Sequence, residues 1–179
     1  MRPPLPYEFM PPVGSFVVTS DDLTEAQLMA HEHVYDQFGL PGKDLPPHLR
    51  WSGFPAGTRS FAVTCHDPDV ATGSGFWHWM LYDLPATVTE LPTGAGAVRG
   101  TGLPAGARNA RHARNDYGVP AYGGPAPAKG DEPHRYVFAV HAVDRERLDV
   151  DDDATPAVVG YHLTQHTLAR GLLIPVYGH

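Results

Sequence analysis

The chain has 179 residues, with 13 Lys and Arg against 20 Asp and Glu, for a formal net charge of −7 at pH 7. That length suits one domain with a real core, and an acidic chain with only two lysines lacks the general attraction to phosphate backbones that nucleic-acid binders need. No apolar run approaches the ~18–20 residues of a membrane span, and 19 glycines with 19 prolines break the chain too often for a helical bundle, so a soluble β-rich domain is expected.

Residues 1–14 carry five prolines and read as an extended arm, either draped over the domain or mobile, with a single domain expected over 15–179. The arm lacks the apolar stretch of a secretory leader, and the lone Cys65 excludes a disulfide framework, so the cytoplasm is the expected location. Ser15–Ser20 is a short β-branched run, followed by turn and capping residues at Asp21–Glu25. Residues 41–57 hold four prolines and three glycines and are expected as a structured loop around Leu49 and Trp51. Ser60–Cys65, Phe76–Leu84 and Tyr136–Val143 read as strands, the third apolar on both faces and therefore central.

Thr93–Asp131 is rich in Gly, Ala and Pro and is expected to be irregular; a stretch of that length usually serves function or covers something. From Pro92 to Asn115 it carries Arg99, Arg108, Arg111 and Arg114 without an acid, whereas Asp144–Asp153 carries six. Those arginines read either as a solvated loop or as a rim drawing in an anion. Gly94–Gly100 has the wrong spacing for a dinucleotide fingerprint. Thr155 and Pro156 form a capped helix start, with a helix expected over Pro156–Arg170.

Polar chemistry gathers at strand ends: His66-Asp67-Pro68-Asp69, Trp77-His78-Trp79, Gly124-Pro125 and His134-Arg135-Tyr136. Alternation puts His134 and Tyr136 on one face and Arg135 on the other, and sets His78 opposite Trp77 and Trp79. Two imidazoles, a phenol and a carboxylate could offer N–H and O–H donors to a small anion, or run acid–base chemistry with His78 or His134 as the proton carrier and Asp67 as its orienter. Against this stand plainer readings, a turn for Asp67–Asp69 and a core histidine for His78. His162 and His166 share a helix face but lack a third ligand, as do His31 and His33 around Glu32, so no metal and no cofactor is expected. Cys65 reads as a buried filler rather than a nucleophile.

The runs DPD at Asp67–Asp69, FWHW at Phe76–Trp79, YGGP at Tyr122–Pro125 and HRYVFAVHAVD at His134–Asp144 resemble, in order and spacing, the phosphatidylethanolamine-binding protein family, especially its bacterial Raf-kinase-inhibitor-like branch. Pro46–Val63 and Tyr161–Gly171 also look like that branch, so the resemblance spans roughly Ser15 to Gly171. It implies a mainly β fold: a β-sandwich of two antiparallel sheets with Greek-key connections, a helix near the C-terminus and a small anion-binding pocket at one end. Carried over residue by residue, the pocket is Asp67, His78, Pro125, His134 and Tyr136, with Asp69 and Arg135 as supports. The chain departs from the family at Val70 and Ala71, where Ala-Pro usually follows DPD, in the stretch Ala126–Gly130, and at His31–His33. The expected function is recognition of a phosphoryl or carboxylate group on a small metabolite. The alternatives are an enzyme reusing the same pocket and an inhibitor of a kinase or protease, its protein target unidentified; a homodimer stays open.

Overall fold

The computed structural model describes residues 2–97 and 102–179; Arg99 and the end of the Gly94–Gly100 run lie outside them. Three expected strands, β4 (Ser60–Asp67), β5 (Phe76–Pro85) and β9 (Val137–Val143), form the middle of a six-stranded sheet. Its order is β1-β10-β9-β4-β5-β7, with β1 at Gly14–Ser15, β7 at Arg111–His112 and β10 at Thr167–Leu173. A smaller sheet, β2-β3-β6, comprises Val17–Thr19, Leu49–Ser52 and Glu90–Leu91, and a short ladder joins β8 (His134–Arg135) to β11 (Val176–Tyr177). Both faces of β4 and β9 are buried, which is why these strands read as continuous apolar runs. On the inner face Phe61, Val63, Trp79, Leu81 and Phe138 pack with Leu49, Trp51 and Leu91 of the smaller sheet. On the outer face Ala62, Met80 and Tyr82 pack with Val159 and Leu163 of α1 (Pro156–His166). The protein is therefore mainly β with one helix near its C-terminal end, as expected.

Several elements differ from the sequence reading. Ser15–Ser20 splits at Phe16: β1 runs parallel to β10, whereas β2 crosses to pair antiparallel with β3. The structured loop at 41–57 contains β3, whose alternation buries Leu49 and Trp51 and exposes Arg50 and Ser52. The helix starts as expected, with the Thr155 side chain accepting from the Val158 N–H, but ends at His166 rather than Arg170. Pairing with β9 claims Thr167–Leu173, an instance of tertiary context overriding local propensity. Gly171 marks the crossover, since a Cβ there would lie 2.9 Å from the Phe16 carbonyl oxygen.

The arm is draped over the sheet. It contains a 3-10 turn at Pro6–Phe9, Arg2 donates to the Pro133 carbonyl, and the Pro3 carbonyl accepts from Arg135. Within the arginine-bearing stretch, Arg111 acts as a clamp. Asp83, an extra residue on β5 at φ 61°, accepts from Arg111 Nε at 2.7 Å and from the Leu148 N–H at 2.9 Å. Arg111 also donates to the carbonyls of Leu148 and Val150, tying down the acidic segment that follows β9. Arg114 donates to the Gly118 carbonyl, and Arg108 is exposed. Among the described residues no helix is long and apolar enough to cross a membrane.

Candidate functional site

Asp67 ends β4 and uses both carboxylate oxygens. Oδ1 accepts from the N–H groups of Asp69 and Val70, closing the turn that Asp-Pro-Asp suggests. Oδ2 accepts from His134 Nδ1 at 2.7 Å. An ionised carboxylate can only accept, so Nδ1 carries a proton and Nε2 is the nitrogen left for a ligand. Asp131 Oδ2 stands 3.6 Å from that Nε2. Behind the turn Asp69 accepts from the Arg135 backbone N–H and guanidinium, holding β8 against the end of β4. Burial pushes the Asp69 carboxyl up, but the hydrogen bonds and charge of Arg135 more than reverse this and leave it below the ordinary range.

His78 is positioned by a β-bulge. Cys65 pairs with Trp79 and His66 with Trp77, so His78 is the extra residue, and simple alternation fails there. Trp79 packs in the inner core, whereas Trp77 joins the outer cluster and lies against His66. The His78 Nδ1 donates to the Gly123 carbonyl at 2.7 Å, which fixes the tautomer and leaves Nε2 as a lone-pair acceptor. Burial lowers its pKa to about 4, outweighing the acceptor carbonyl and the Asp67 charge that favour the proton. His78 is therefore an acceptor at neutral pH and not the donor expected from the sequence.

A cavity of about 290 Å³ opens at this sheet end, and Asp67, His78 and His134 all line it. Tyr136 and Pro125 are not in its wall. Tyr136 stands behind His78, ring edge to ring face at 5.2 Å, with a buried hydroxyl that has no partner among the described residues. The Pro125 carbonyl accepts from the Tyr35 N–H. Gly123 and Gly124 let this segment pass close to its neighbours: a Cβ on Gly124 would sit 2.3 Å from the His33 carbonyl oxygen. Sequence reasoning missed the aromatic side of the cavity, Phe38, Phe76 and Tyr117, and missed Asp131. Tyr117 donates to the Gly124 carbonyl and stacks on Tyr35 at 4.0 Å. The spacing of Asp131 three residues before His134 was a usable signal; nothing local links Phe38 to the site. Val70, Ala71 and Ala126–Ala128, where the chain departs from the family pattern, all line the cavity.

His162 lies against Tyr161, and His166 Nδ1 donates to Asp144, so the two helix histidines serve separate contacts. Among the described residues no three His, Cys, Asp or Glu side chains form a metal-binding group.

The neutral histidines predict acid sensitivity. His78 and His112 both have pKa values lowered to about 4 by burial, against 6.5 for the free side chain. Between those values the unfolded chain binds protons that the native state does not, so their contribution is full above pH 6.5 and is lost as pH falls toward 4. For His78 alone the loss amounts to about 3 kcal/mol. Asp44, raised to about 6 mainly by burial, works in the opposite direction over part of this range. Urea unfolding at pH 7 and pH 4.5 should show lower stability at the acid value; equal stability would contradict the assigned neutral state.

Comparison with known proteins agrees with this architecture. The family model described as phosphatidylethanolamine-binding protein matches residues 19–178. The chain is 45% identical to the UPF0098 protein YbcL of Escherichia coli over 169 residues, 94% of this chain and 91% of that one. It is also 45% identical to YbhB of the same organism over 158 residues, 88% of this chain and 97% of that one. The crystal structure of E. coli YbcL, described as a new member of the mammalian PEBP family, superposes with a TM-score of 0.87, covering 93% of this chain and 99% of that one. A PEBP homolog from Chlamydia trachomatis shares the fold at a TM-score of 0.75 and 23% identity, covering 93% of this chain and 99% of that one. The chain belongs to the phosphatidylethanolamine-binding protein family.

Proposed function

We propose that the cavity at the end of β4 and β5 binds a small oxyanion that keeps one proton, a hydrogen phosphate group carried by a metabolite. The observation that carries this reading is the pairing of two unlike imidazoles on one cavity. His78 offers a fixed lone pair, and His134, oriented by Asp67, offers Nε2, a donor whenever the ring is an imidazolium. A hydrogen phosphate group answers both, its P–OH donating to His78 and its P–O⁻ accepting from His134. Asp67 and Asp131 beside the same ring disfavour a fully ionised dianion. Affinity should therefore fall as pH rises, because the proton that the ligand donates to His78 is lost.

Calorimetric titration with inorganic phosphate at pH 5.5 and 8.5 tests the reading. Binding should weaken by about tenfold or more at the higher pH, and His134→Ala should weaken it by about 10–100-fold at pH 5.5. Equal affinity in wild type and His134→Ala would sink the proposal.

The Asp67–His134 pair also resembles an acid–base dyad, which motivates a second reading as an enzyme. Among the described residues, however, the cavity wall holds no Ser, Thr, Cys or Lys to act as a nucleophile. Cys65 is buried, and burial pushes its thiol well above the ordinary range. Binding is the reading better supported. An enzyme would instead deplete one compound of a metabolite extract and accumulate another. The single buried thiol fits a reducing compartment, and we propose the cytoplasm as the location.

A further inference from the structure

Beyond its two imidazoles the oxyanion cavity continues into a wall of aromatic rings. Phe76 packs against both His78 and Tyr117, with ring centroids at 4.9 and 4.7 Å, and Tyr117 stacks on Tyr35 at 4.0 Å. Phe38 completes this side of the cavity, its ring centroid 5.5 Å from that of Tyr35. Two properties set Phe38 apart. It is 79% exposed, the most exposed large apolar side chain among the described residues. Its backbone is also left-handed, at φ 58°, and Gly39 follows at φ 77°. A bulky residue seldom takes that conformation, and an outlier of this kind at a cavity mouth is a sign of function rather than of packing.

The rest of the wall narrows what these rings meet. A space of about 290 Å³ matches the lower end of pockets for small organic molecules, about 300 Å³, and leaves room for an organic group beside the phosphate. Among the described residues the wall holds no Lys or Arg for a second anionic group. Its two carboxylates, Asp67 and Asp131, both sit beside His134, so neither is given to the rings to hold a cation there. A sugar would leave hydroxyls without side-chain partners, because the Tyr117 hydroxyl is engaged by the Gly124 carbonyl and Val70, Ala71 and Pro127 offer no polar side-chain atom. A flat ring is the group that three aromatic side chains accommodate best, in offset or edge-to-face contact.

We propose that Phe38, Phe76 and Tyr117 form a subsite for the aryl group of a phosphate monoester, with Phe38 as the residue that selects it. The inference rests on the oxyanion reading of this cavity and names the class of metabolite, a small aryl phosphate without a second charged group.

Calorimetry at pH 5.5, where most of each ligand keeps one phosphate proton, compares methyl, cyclohexyl, 2-aminoethyl and phenyl phosphate. Phenyl phosphate should bind wild type about 10–50-fold more tightly than methyl phosphate, and more tightly than the other two. Phe38→Ala should erase most of that preference. In proton spectra the ring resonances of phenyl phosphate should move upfield on binding to wild type, a readout that needs no variant. Equal affinity for phenyl and methyl phosphate, or cyclohexyl or 2-aminoethyl phosphate binding as tightly as phenyl, would overturn the aryl subsite and leave the oxyanion reading standing. A phenyl preference undiminished in Phe38→Ala, or ring resonances that stay in place, would overturn it equally. If none of the four compounds binds, the oxyanion reading fails and this inference falls with it.

Discussion

Replacing Asp67 by alanine is expected to abolish phosphate binding and to cost the fold about 3–5 kcal/mol. The carboxylate satisfies three donors at once, the N–H groups of Asp69 and Val70 and the Nδ1–H of His134, and the side chain is nearly fully buried. Truncation leaves those donors without an acceptor in a region that water barely reaches, and lets the His134 ring turn. Asp67→Asn separates the two consequences. Its amide oxygen can keep the turn, while its NH₂ must donate to His134 Nδ1 and force the ring proton onto Nε2. Stability should then drop far less than in the alanine variant, and the residual phosphate affinity should keep only the pH dependence that the ligand's own proton imposes. Urea unfolding and calorimetry read the two effects separately. An Asp67→Ala protein within about 1 kcal/mol of wild type, or still binding phosphate, would contradict the role given to this carboxylate.

Arg111→Ala is expected to destabilise by a similar amount, about 3–5 kcal/mol, without touching phosphate affinity. Its guanidinium neutralises Asp83, whose side chain is 5% exposed, and holds the carbonyls of Leu148 and Val150. Removing it strands a buried negative charge on a bulge and frees the segment leading to α1. Adding Asp83→Asn should recover part of the loss, because the stranded charge goes with it. An unfolding midpoint unchanged in Arg111→Ala, or phosphate affinity that falls with it, would mean the cluster is not the structural clamp described.

How much of this was legible in the sequence depends on the range of the interaction concerned. The central strands were readable because β4, β5 and β9 bury both faces and so spell continuous apolar and β-branched runs. Asp67, His78 and His134 were readable because each sits in a short motif at a strand end. The errors share a cause. The end of α1, the split at Phe16 and β3 inside a proline-rich stretch are all decided by pairing partners far away in the chain, which no local pattern encodes. The donor role expected of His78 failed because two distant features set it, the bulge opposite Cys65 and His66 and the Gly123 carbonyl brought in by the YGGP turn. Phe38 reaches the cavity rim through a left-handed backbone at φ 58°, again invisible to periodicity. The arginine-bearing stretch read either as a solvated loop or as an anion rim, and the clamp made by Arg111 came to light only with Asp83, a partner 28 residues away.

The central claim is that one cavity pairs a neutral acceptor, His78, with a second imidazole, His134, that Asp67 orients toward the ligand. Long-range ¹H–¹⁵N spectra of the histidine side chains during a phosphate titration at pH 6 test it most directly. His78 should show a single proton on Nδ1 throughout, with its Nε2 shifting as it accepts from the ligand, while the His134 Nε2 resonance moves as the ligand contacts it. If phosphate saturates the protein and both rings keep their free-state shifts, the anion binds elsewhere and the assignment of this cavity is wrong.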